Sequence, residues 1–391
     1  MNNKALKILY VVARPLEINT SSSIRNQATV KGLVENGYKI DLITSKPDRN
    51  HINFDESLNL KGVNCRYIEL GGVQKIASVG RKIKVPSFIK TFILRIIQKR
   101  TIYDNLYEIV NHVNEVENQG YDYIISSSDP KSSHAFVDKL IDRKDFKFKG
   151  RWIQIWGDPF MNDITIDKNI NKEEVFKEEK RLLKKADKIV YVSKQTLLEQ
   201  KEKFSESAAK MFYYPIPYLK EIISPNRDLS QCNNIKLAYC GDYISSVRNI
   251  KPLYNAIREC DNLELTVAGN SDLKLHDSHN IRILPRQSHN TVAQIEDECD
   301  ILIHLSNLYG SQIPGKIYQY AGTNKPILFI LDGNWSLLKK EFSKYERFYF
   351  SDNDEKSIIA TIKQIVVENR SFCPIADFAP KNISKQILIE W

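Results

Sequence analysis

One stretch near the C-terminal end contains the residue types and spacing that most specifically indicate chemistry. It covers 311–330 and reads SQIPGKIYQYAGTNKPILFI. Apolar runs at 300–305, before it, and at 326–331, at its end, predict buried strands. Pro314 and Gly315 fit a loop that leads into a helix, Lys316 to Ala321 fit the helix itself, and Gly322 fits its C-terminal cap. The stretch therefore predicts a strand, loop, helix and strand in succession.

A helix that begins at the end of a parallel strand directs free N–H groups and the positive end of its dipole at the crevice beside it, where a phosphate binds. Lys316 adds a full positive charge there. Gln319 and Tyr320 follow about one turn later, within reach of a sugar or base attached to that phosphate. A Gly-Lys pair at an ordinary helix start is the alternative interpretation.

The stretch resembles the donor-binding signature of GT-B glycosyltransferases, especially the large retaining family four. That signature has an acidic residue, seven other residues, and a second Glu inside a helix that ends Gly-x-x-Pro. Here Ser311 stands at the first acidic position and Gln319 at the second, which in the family bonds the ribose hydroxyls. The resemblance implies a nucleotide-diphosphate sugar as donor. The departure at Ser311 leaves open an unusual donor, altered positioning or a weakened enzyme.

Length and composition favour a folded chain of two domains. The 391 residues exceed what one core usually holds, and 42% hydrophobic with 27% charged residues is ordinary for a globular protein. The net charge of +9 favours an anionic partner: nucleic acid, an acidic membrane surface or a phosphorylated ligand. The six cysteines form no C-x-x-C pair, which predicts reduced thiols in a cytoplasmic protein. We expect no signal peptide and no membrane span.

The first part of the chain, 1–220, predicts a Rossmann-like domain on the acceptor side. A strand, a helix opened by Ser21, Ser22 and Ser23, and a second strand form a βαβ unit whose loop faces a ligand crevice. Family-four enzymes usually carry a glycine pair in this loop, beside the donor phosphates. The three serines could instead bind a phosphate or the acceptor, or only cap the helix.

Two later loops are expected to leave the same edge of this sheet. One follows the strand at 121–126 and leads to His134, and the other, Gly157-Asp158-Pro159, follows the strand at 151–156. Both resemble loops of family-four enzymes that build surface polysaccharides such as capsule or O-antigen. The resemblance places Asp158 in the crevice, where a carboxylate can accept the proton of an acceptor hydroxyl; an Asx turn is the alternative. His134 is the second catalytic candidate.

The polar run at 224–234 predicts an interdomain linker. The α/β pattern then restarts and predicts a donor-binding Rossmann-like domain over 235–370, with 371–391 crossing back to the first domain. Gly241 at a strand exit lets the backbone approach a ligand, and Arg248 can pair with a diphosphate. The spacing of Gly241 and Arg248 resembles that in the first donor-domain loop of family-four enzymes. In those enzymes, a second loop that corresponds to 285–289 contacts the nucleotide base. The scattered histidines show no ligand set, and no metal is expected.

The segment 75–100 contains no acidic residue. Its apolar residues recur at helical spacing from Ser87 onward, and Lys90, Arg95 and Lys99 lie away from that stripe. Such a helix can lie in an anionic membrane surface, or it can simply cover the sheet. Nucleic-acid binding ranks last, because no nucleic-acid-binding motif accompanies the basic residues.

Together these features predict an α/β protein of the GT-B class, with two Rossmann-like domains facing each other across a cleft. The resemblance implies a cytoplasmic glycosyltransferase, peripheral at the inner face of the cell membrane. It would transfer a sugar, with retention, to a hydroxyl of a lipid-linked glycan acceptor in bacterial surface polysaccharide synthesis, without a metal cofactor. A catalytically inactive GT-B-fold partner subunit and a GT-B sugar-nucleotide epimerase remain as alternatives.

Overall fold

The computed structural model describes residues 5–71, 101–161, 170–309, 313–333 and 335–389. The chain divides into two compact units, Met1–Ile216 with Pro380–Trp391 and, between them, Pro217–Ala379. Each unit contains one parallel sheet, and helices connect most of its consecutive strands. The predicted α/β class with two Rossmann-like domains is therefore confirmed.

The first unit has a sheet of seven parallel strands in the order β3-β2-β1-β4-β5-β6-β7. The strands are β1 Lys7–Val11, β2 Lys39–Ser45, β3 Asn64–Ile68, β4 Tyr123–Ser127, β5 Arg151–Trp156, β6 Lys188–Tyr191 and β7 Met211–Tyr213. The helices are α1 Ser21–Glu35, α2 Ser132–Ile141, α3 Lys172–Lys185 and α4 Lys194–Lys203, with 3-10 helices at Tyr107–Glu115 and Ser205–Lys210. The central strands are almost wholly buried, which explains their continuous apolar sequences.

The second unit has a sheet of six parallel strands in the order β10-β9-β8-β11-β12-β13. The strands are β8 Ile235–Cys240, β9 Leu263–Ala268, β10 Ile281–Leu284, β11 Ile301–Leu305, β12 Ile327–Leu331 and β13 Phe348–Asp352. The helices are α5 Lys251–Arg258, α6 His289–Glu298, α7 Lys316–Tyr320, α8 Ser336–Phe342 and α9 Glu355–Glu368, with 3-10 helices at Leu229–Gln231 and Ala376–Phe378.

The last described helix, α10 at Pro380–Ile389, belongs to the first unit. It packs on α1 at Gly32, where a Cβ would overlap the carbonyl oxygen of Pro380. The fully buried Lys188 donates to the carbonyl oxygens of Gln386 and Ile387, at 3.2 and 2.8 Å. The C-terminal helix α10 thus packs against the first unit, although the second unit separates the two in sequence.

The segment predicted as a linker, 224–234, is part of the second unit. Ser224 donates its hydroxyl to Asp297 at 2.6 Å, and Arg227 pairs with the buried carboxylate of Asp300 at 2.8 Å. Residues 371–379, predicted to cross back, also stay in this unit, since Ile375 N donates to the carbonyl oxygen of Ala321 at 2.8 Å. These bonds give the segments fixed positions on the second unit.

Each sheet has a point at which the strand order reverses. In the first unit β1 lies between β2 and β4, and in the second β8 lies between β9 and β11. The loops after β1 and β4, and those after β8 and β11, therefore diverge at the carboxyl edge of their sheet. Open α/β sheets bind their ligands in the crevice at such a switch point.

Candidate functional site

Arg248 joins the two loops at the switch point of the second unit. Its Nε donates to Oδ1 of Asn307 at 3.1 Å, and its Nη1 donates to the carbonyl oxygen of Asp242. The backbones of the two loops are also hydrogen-bonded to each other, because Leu308 N donates to the carbonyl oxygen of Val247 at 2.8 Å. The structure thus places this partly buried guanidinium where the loops after β8 and β11 meet.

The glycine that allows close backbone approach at this edge is Gly269, at the exit of β9. A Cβ on Gly269 would overlap the carbonyl oxygen of Gly241, whereas a Cβ on Gly241 would meet the Tyr239 hydroxyl at 3.3 Å. The predicted position, Gly241, lies in the same pair of loops and donates its N–H to Ala268 O at 2.9 Å. Sequence analysis missed Gly269, although it follows a strand just as Gly241 does.

The loop after β10 brings a second arginine to this edge. Nη1 of Arg286 lies 2.9 Å from Oδ2 of Asp242, whose Oδ1 accepts from Asn270 N at 2.9 Å. The loop that the resemblance associates with the nucleotide base therefore contacts the loop after β8. Arg286 is therefore paired with a carboxylate at this edge, whereas Arg248 bonds the neutral groups of Asn307 and the Asp242 backbone.

Lys316 begins α7 as predicted, after Pro314 and the N-cap Gly315. Its Nζ lies 2.5 Å from Oε1 of Glu296 in α6, and the Glu296 residue is only 4% exposed. The sequence predicted a full positive charge facing the crevice, but the structure pairs that charge with a buried carboxylate. An anionic ligand would have to compete with Glu296 for it.

Gln319 and Tyr320 make side-chain hydrogen bonds within the second unit. Gln319 Oε1 accepts from Leu219 N at 2.8 Å and its Nε2 donates to Pro217 O at 3.2 Å. Tyr320 is fully buried, and its hydroxyl accepts from Cys240 N at 3.2 Å. Gln319 thus bonds the backbone that enters the second unit and Tyr320 fills the core, and the contacts of these two residues with ribose or base stay a prediction. Ser311 lies outside the described residues.

In the first unit, α1 begins as predicted, but its N-cap is Thr20 rather than a serine. Thr20 Oγ1 accepts from Ser23 N at 3.2 Å, and the buried Ser23 hydroxyl lies 2.9 Å from the same oxygen. Ser22 Oγ lies 3.4 Å from Nη1 of Arg14, and Ser21 is exposed. Ser21 and Ser22 thus lie at the carboxyl edge, and Ser22 also contacts the Thr20 hydroxyl at 3.1 Å.

Arg25 is a buried cation that sequence analysis missed. Its residue is 5% exposed, and its Nη2 donates to the carbonyl oxygen of Ser128. A Cβ on Gly157 would overlap the guanidinium. Gly157 N in turn donates to Ser128 Oγ at 3.1 Å. Arg25 therefore fastens α1 to the loops after β4 and β5, a role that nothing in its sequence context indicates.

Asp158 lies half-buried in the loop after β5, which is hydrogen-bonded through Gly157 to the loop after β4 that carries Asp129. Asp129 forms an ion pair with Lys131, whose side chain is 7% exposed. Burial acts to raise the pKa of Asp129, but the charges of Lys131 and Arg25 and the hydrogen bond from Lys131 outweigh it and lower that pKa. The carboxyl edge thus carries a second acidic residue, Asp129, in addition to the Asp158 that the sequence predicted.

His134 is a core residue. It is fully buried, its ring centroid lies 4.1 Å from that of Trp156, and its Nδ1 lies 2.7 Å from Ser126 Oγ. Burial lowers its pKa to about 3, so the imidazole is neutral at physiological pH. The prediction that His134 is catalytic does not fit this position, because its helix turns the side chain toward the sheet instead of the crevice.

Within the described ranges, no three His, Cys, Asp or Glu side chains are grouped so as to hold a metal ion. None of the helices in that same part of the chain is both long and apolar enough to cross a membrane. Lys90, Arg95 and Lys99 of the predicted basic helix lie outside the described residues.

No family model matches this sequence, and no curated protein matches it significantly. The fold, however, matches solved structures. Anabaena HepE in complex with UDP and glucose has a TM-score of 0.56 at 10% identity, over 97% of this chain and 95% of that chain. The catalytic domain of Arabidopsis thaliana starch synthase IV, bound to ADP and acarbose, has a TM-score of 0.62 at 9% identity, over 99% and 96%.

A UDP-N-acetylglucosamine 2-epimerase matches with a TM-score of 0.54 at 12% identity, over 99% of this chain and 95% of that chain. These likenesses, with the seven-stranded and six-stranded parallel sheets, show that the chain has the GT-B fold. The fold class that the motif resemblance implied is therefore confirmed.

Proposed function

We propose that the protein is a glycosyltransferase. Its second unit would bind a nucleotide-diphosphate sugar, and its first unit would bind the acceptor whose hydroxyl receives the sugar. The observation that carries this proposal is the position of Arg248 at the switch point of the second sheet, with Arg286 on the adjoining loop. HepE and starch synthase IV, which share the fold, were solved with UDP and ADP.

The chemistry of this edge suits a departing diphosphate. When the bond between the anomeric carbon and the diphosphate breaks, negative charge grows on the leaving oxygen and must be stabilised. Guanidinium groups pair with phosphate oxygens through two parallel hydrogen bonds and stay charged at any physiological pH. Arg248 is the main candidate for this role, since the charge of Lys316 is already paired with Glu296.

The finer assignments rest on the sequence. The loops at 127–134 and 157–160 resemble those of enzymes that build surface polysaccharides, which supports a lipid-linked glycan acceptor and retention of anomeric configuration. A peripheral position at an anionic membrane surface is supported by the basic, amphipathic sequence of 75–100. Flotation with anionic vesicles is expected to be lost when Lys90, Arg95 and Lys99 are neutralised together, and retained binding would remove this role.

The proposed reaction is tested by incubating the protein with a panel of UDP-, GDP- and ADP-sugars. A transferase is expected to hydrolyse its donor slowly in the absence of acceptor, releasing the nucleoside diphosphate and free sugar. Proton NMR then identifies the sugar and, once an acceptor is found, the anomeric configuration of the product. Absence of turnover and of binding for every nucleotide sugar would contradict the proposal. Binding without turnover would favour an inactive partner subunit.

A sugar-nucleotide epimerase is the second candidate, because the fold also matches a UDP-N-acetylglucosamine 2-epimerase. The same NMR experiment separates the two functions. An epimerase converts UDP-N-acetylglucosamine into a sugar of inverted configuration at C2. A transferase leaves the configuration at C2 unchanged and releases the nucleoside diphosphate from the sugar. Appearance of the C2 epimer would replace the transferase proposal.

A further inference from the structure

A buried glutamate of α3 holds the end of the loop that follows β5. Glu179 is 0% exposed, its Oε1 accepts from Phe160 N at 3.0 Å, and its Oε2 accepts from Met161 N at 2.9 Å. Each carboxyl oxygen thus takes one of two successive backbone N–H groups. Hydrogen bonds to a carboxylate are about twice as strong as those between neutral groups. The side chain of Glu179 therefore fastens this backbone to α3.

The beginning of the same loop is fixed as well. Gly157 N donates to Ser128 Oγ at 3.1 Å, which ties it to the loop after β4. Only Asp158 and Pro159 lie between Gly157 and the first residue that Glu179 holds. The ring of a proline restricts its own φ to about −65°. The backbone of Asp158 is therefore restrained from both sides.

The helix that carries Glu179 is itself firmly placed. Leu182 and Leu183 of α3 are fully buried in the core of the first unit. Gln154 of β5 donates its side-chain amide to the carbonyl oxygen of Leu182 at 2.9 Å. The strand that leads into the loop and the helix that holds the end of the loop are thus bonded to each other. Such a supporting shell keeps a site in one geometry before a ligand arrives.

A carboxyl group in this position is costly for folding. Burial raises the pKa of Glu179 above its ordinary value, although the N–H groups of Met161 and Phe160 and the charges of Lys203 and Lys131 act to lower it. An apolar side chain of similar size would avoid the cost of burying a carboxyl group. It would also leave two backbone donors without this acceptor. The loop that Glu179 holds, and not the stability of α3, therefore explains the residue.

We propose that Glu179 is a positioning residue for glycosyl transfer, which sets the place of Asp158 at the carboxyl edge without touching the substrate. The part of Asp158 in the reaction rests on the proposed function and on the sequence resemblance, whereas the restraint of the loop by Glu179 does not. The restraint matters for the reaction, because a misplacement of about 1 Å can lower a rate by about 100-fold.

The restraint is tested without any ligand, by hydrogen exchange of the backbone amides followed by NMR. In the wild-type protein the amides of Phe160 and Met161 are expected to exchange at least about 100-fold more slowly than in an unfolded chain. Unprotected amides would overturn the inference, and this measurement needs no variant.

Glu179→Gln keeps the size of the side chain but replaces one acceptor oxygen with an NH2 donor. At least one of the amides of Phe160 and Met161 is then expected to exchange at least about tenfold faster, as the loss of about 1.4 kcal/mol of hydrogen bonding implies. The matched control is Glu174→Gln, an exposed glutamate in the first turn of α3, which is expected to leave both amides unchanged. Equal exchange in the two variants would refute the restraint.

The positioning role is tested in the transfer assay. Glu179→Gln is expected to lower kcat by about 10–100-fold, while the Kd of the nucleoside diphosphate stays within about twofold and Glu174→Gln keeps full kcat. If Glu179 acts through Asp158, adding Glu179→Gln to Asp158→Asn is expected to lower kcat by less than about threefold more. Losses that multiply in the double variant would refute action through Asp158.

The outcomes separate this role from the proposed function. The expected amide exchange in a protein that transfers no sugar from any nucleotide would refute the proposed function, and the restraint of the loop would stand. An active enzyme whose Glu179→Gln variant keeps full kcat would refute the positioning role alone.

Discussion

Replacing Lys316 with alanine is expected to destabilise the second unit, not only to alter the candidate donor site. The substitution leaves the carboxylate of Glu296 buried without its cation, 2.5 Å from where Nζ lay. Removing one partner of a fully buried ion pair typically costs about 3–5 kcal/mol. Because the side chain of Lys316 is 26% exposed, water screens part of the interaction, and we expect a loss of about 2–3 kcal/mol.

Thermal unfolding monitored by circular dichroism measures this loss. For a unit of this size, about 2–3 kcal/mol corresponds to a decrease in Tm of roughly 5–10 °C. The matched control is Lys363→Ala, an exposed lysine in the middle of α9, which is expected to change stability by less than about 0.5 kcal/mol.

The double variant Lys316→Ala/Glu296→Gln separates the ion pair from other effects of the substitution. It removes both charges together, so it is expected to recover at least about half of the stability lost in Lys316→Ala. If Lys316→Ala behaved like the exposed control, or if the two substitutions simply added, the buried pair would be refuted. The result also decides how a donor-binding defect of Lys316→Ala should be interpreted, because an unfolded site binds nothing.

Two further predictions concern backbone approach and pH. Gly269→Ala is expected to destabilise the protein by about 1–3 kcal/mol in urea unfolding. The loss is expected to exceed that of Gly241→Ala, because a Cβ overlaps a carbonyl oxygen at Gly269 but not at Gly241. Equal losses of the two variants would contradict this expectation. His134 and His304 are buried, and burial lowers the pKa of each to about 3, below the unfolded value of about 6.5. The unfolded state therefore binds more protons between these values, so stability is complete above about pH 6.5 and falls as the pH decreases, by about 1.4 kcal/mol per pH unit for each histidine. His304→Phe is expected to remove one of the two contributions from the slope of unfolding free energy against pH, and an unchanged slope would contradict the assignment.

Much of the fold could be predicted because both sheets are parallel and buried on both faces. Strands such as β11 and β12 are continuous apolar runs bounded by polar, glycine or proline residues, and their observed bounds differ from the predicted ones by a single residue. The start of α1 at Ser21 was also predictable, since small hydroxyl residues precede a helical apolar pattern. These signals are local in the sequence.

The orientation of side chains around the candidate site could not be predicted in the same way. In the short helix α7, spacing alone did not show that Gln319 bonds the entering backbone and that Tyr320 fills the core. The pairing of Lys316 with Glu296 depends on how α6 and α7 meet. Arg25 resembles any solvated arginine in the sequence, and only the fold shows that it lies beneath two loops. Such contacts are tertiary and leave no periodic pattern.

The central claim is that Arg248 binds the diphosphate of a nucleotide at the switch point of the second sheet. This claim is tested directly by isothermal titration calorimetry with UDP, GDP and ADP on the wild-type protein, Arg248→Met and the control Arg258→Met. Arg258 is a suitable control because it is a half-exposed arginine at the end of α5. We expect at least one nucleotide to bind the wild type and Arg258→Met equally, and to bind Arg248→Met about 10–100-fold more weakly, as the loss of a charge-assisted hydrogen bond implies. Equal affinity of all three proteins, or no affinity of the wild type for any of the nucleotides, would contradict the account.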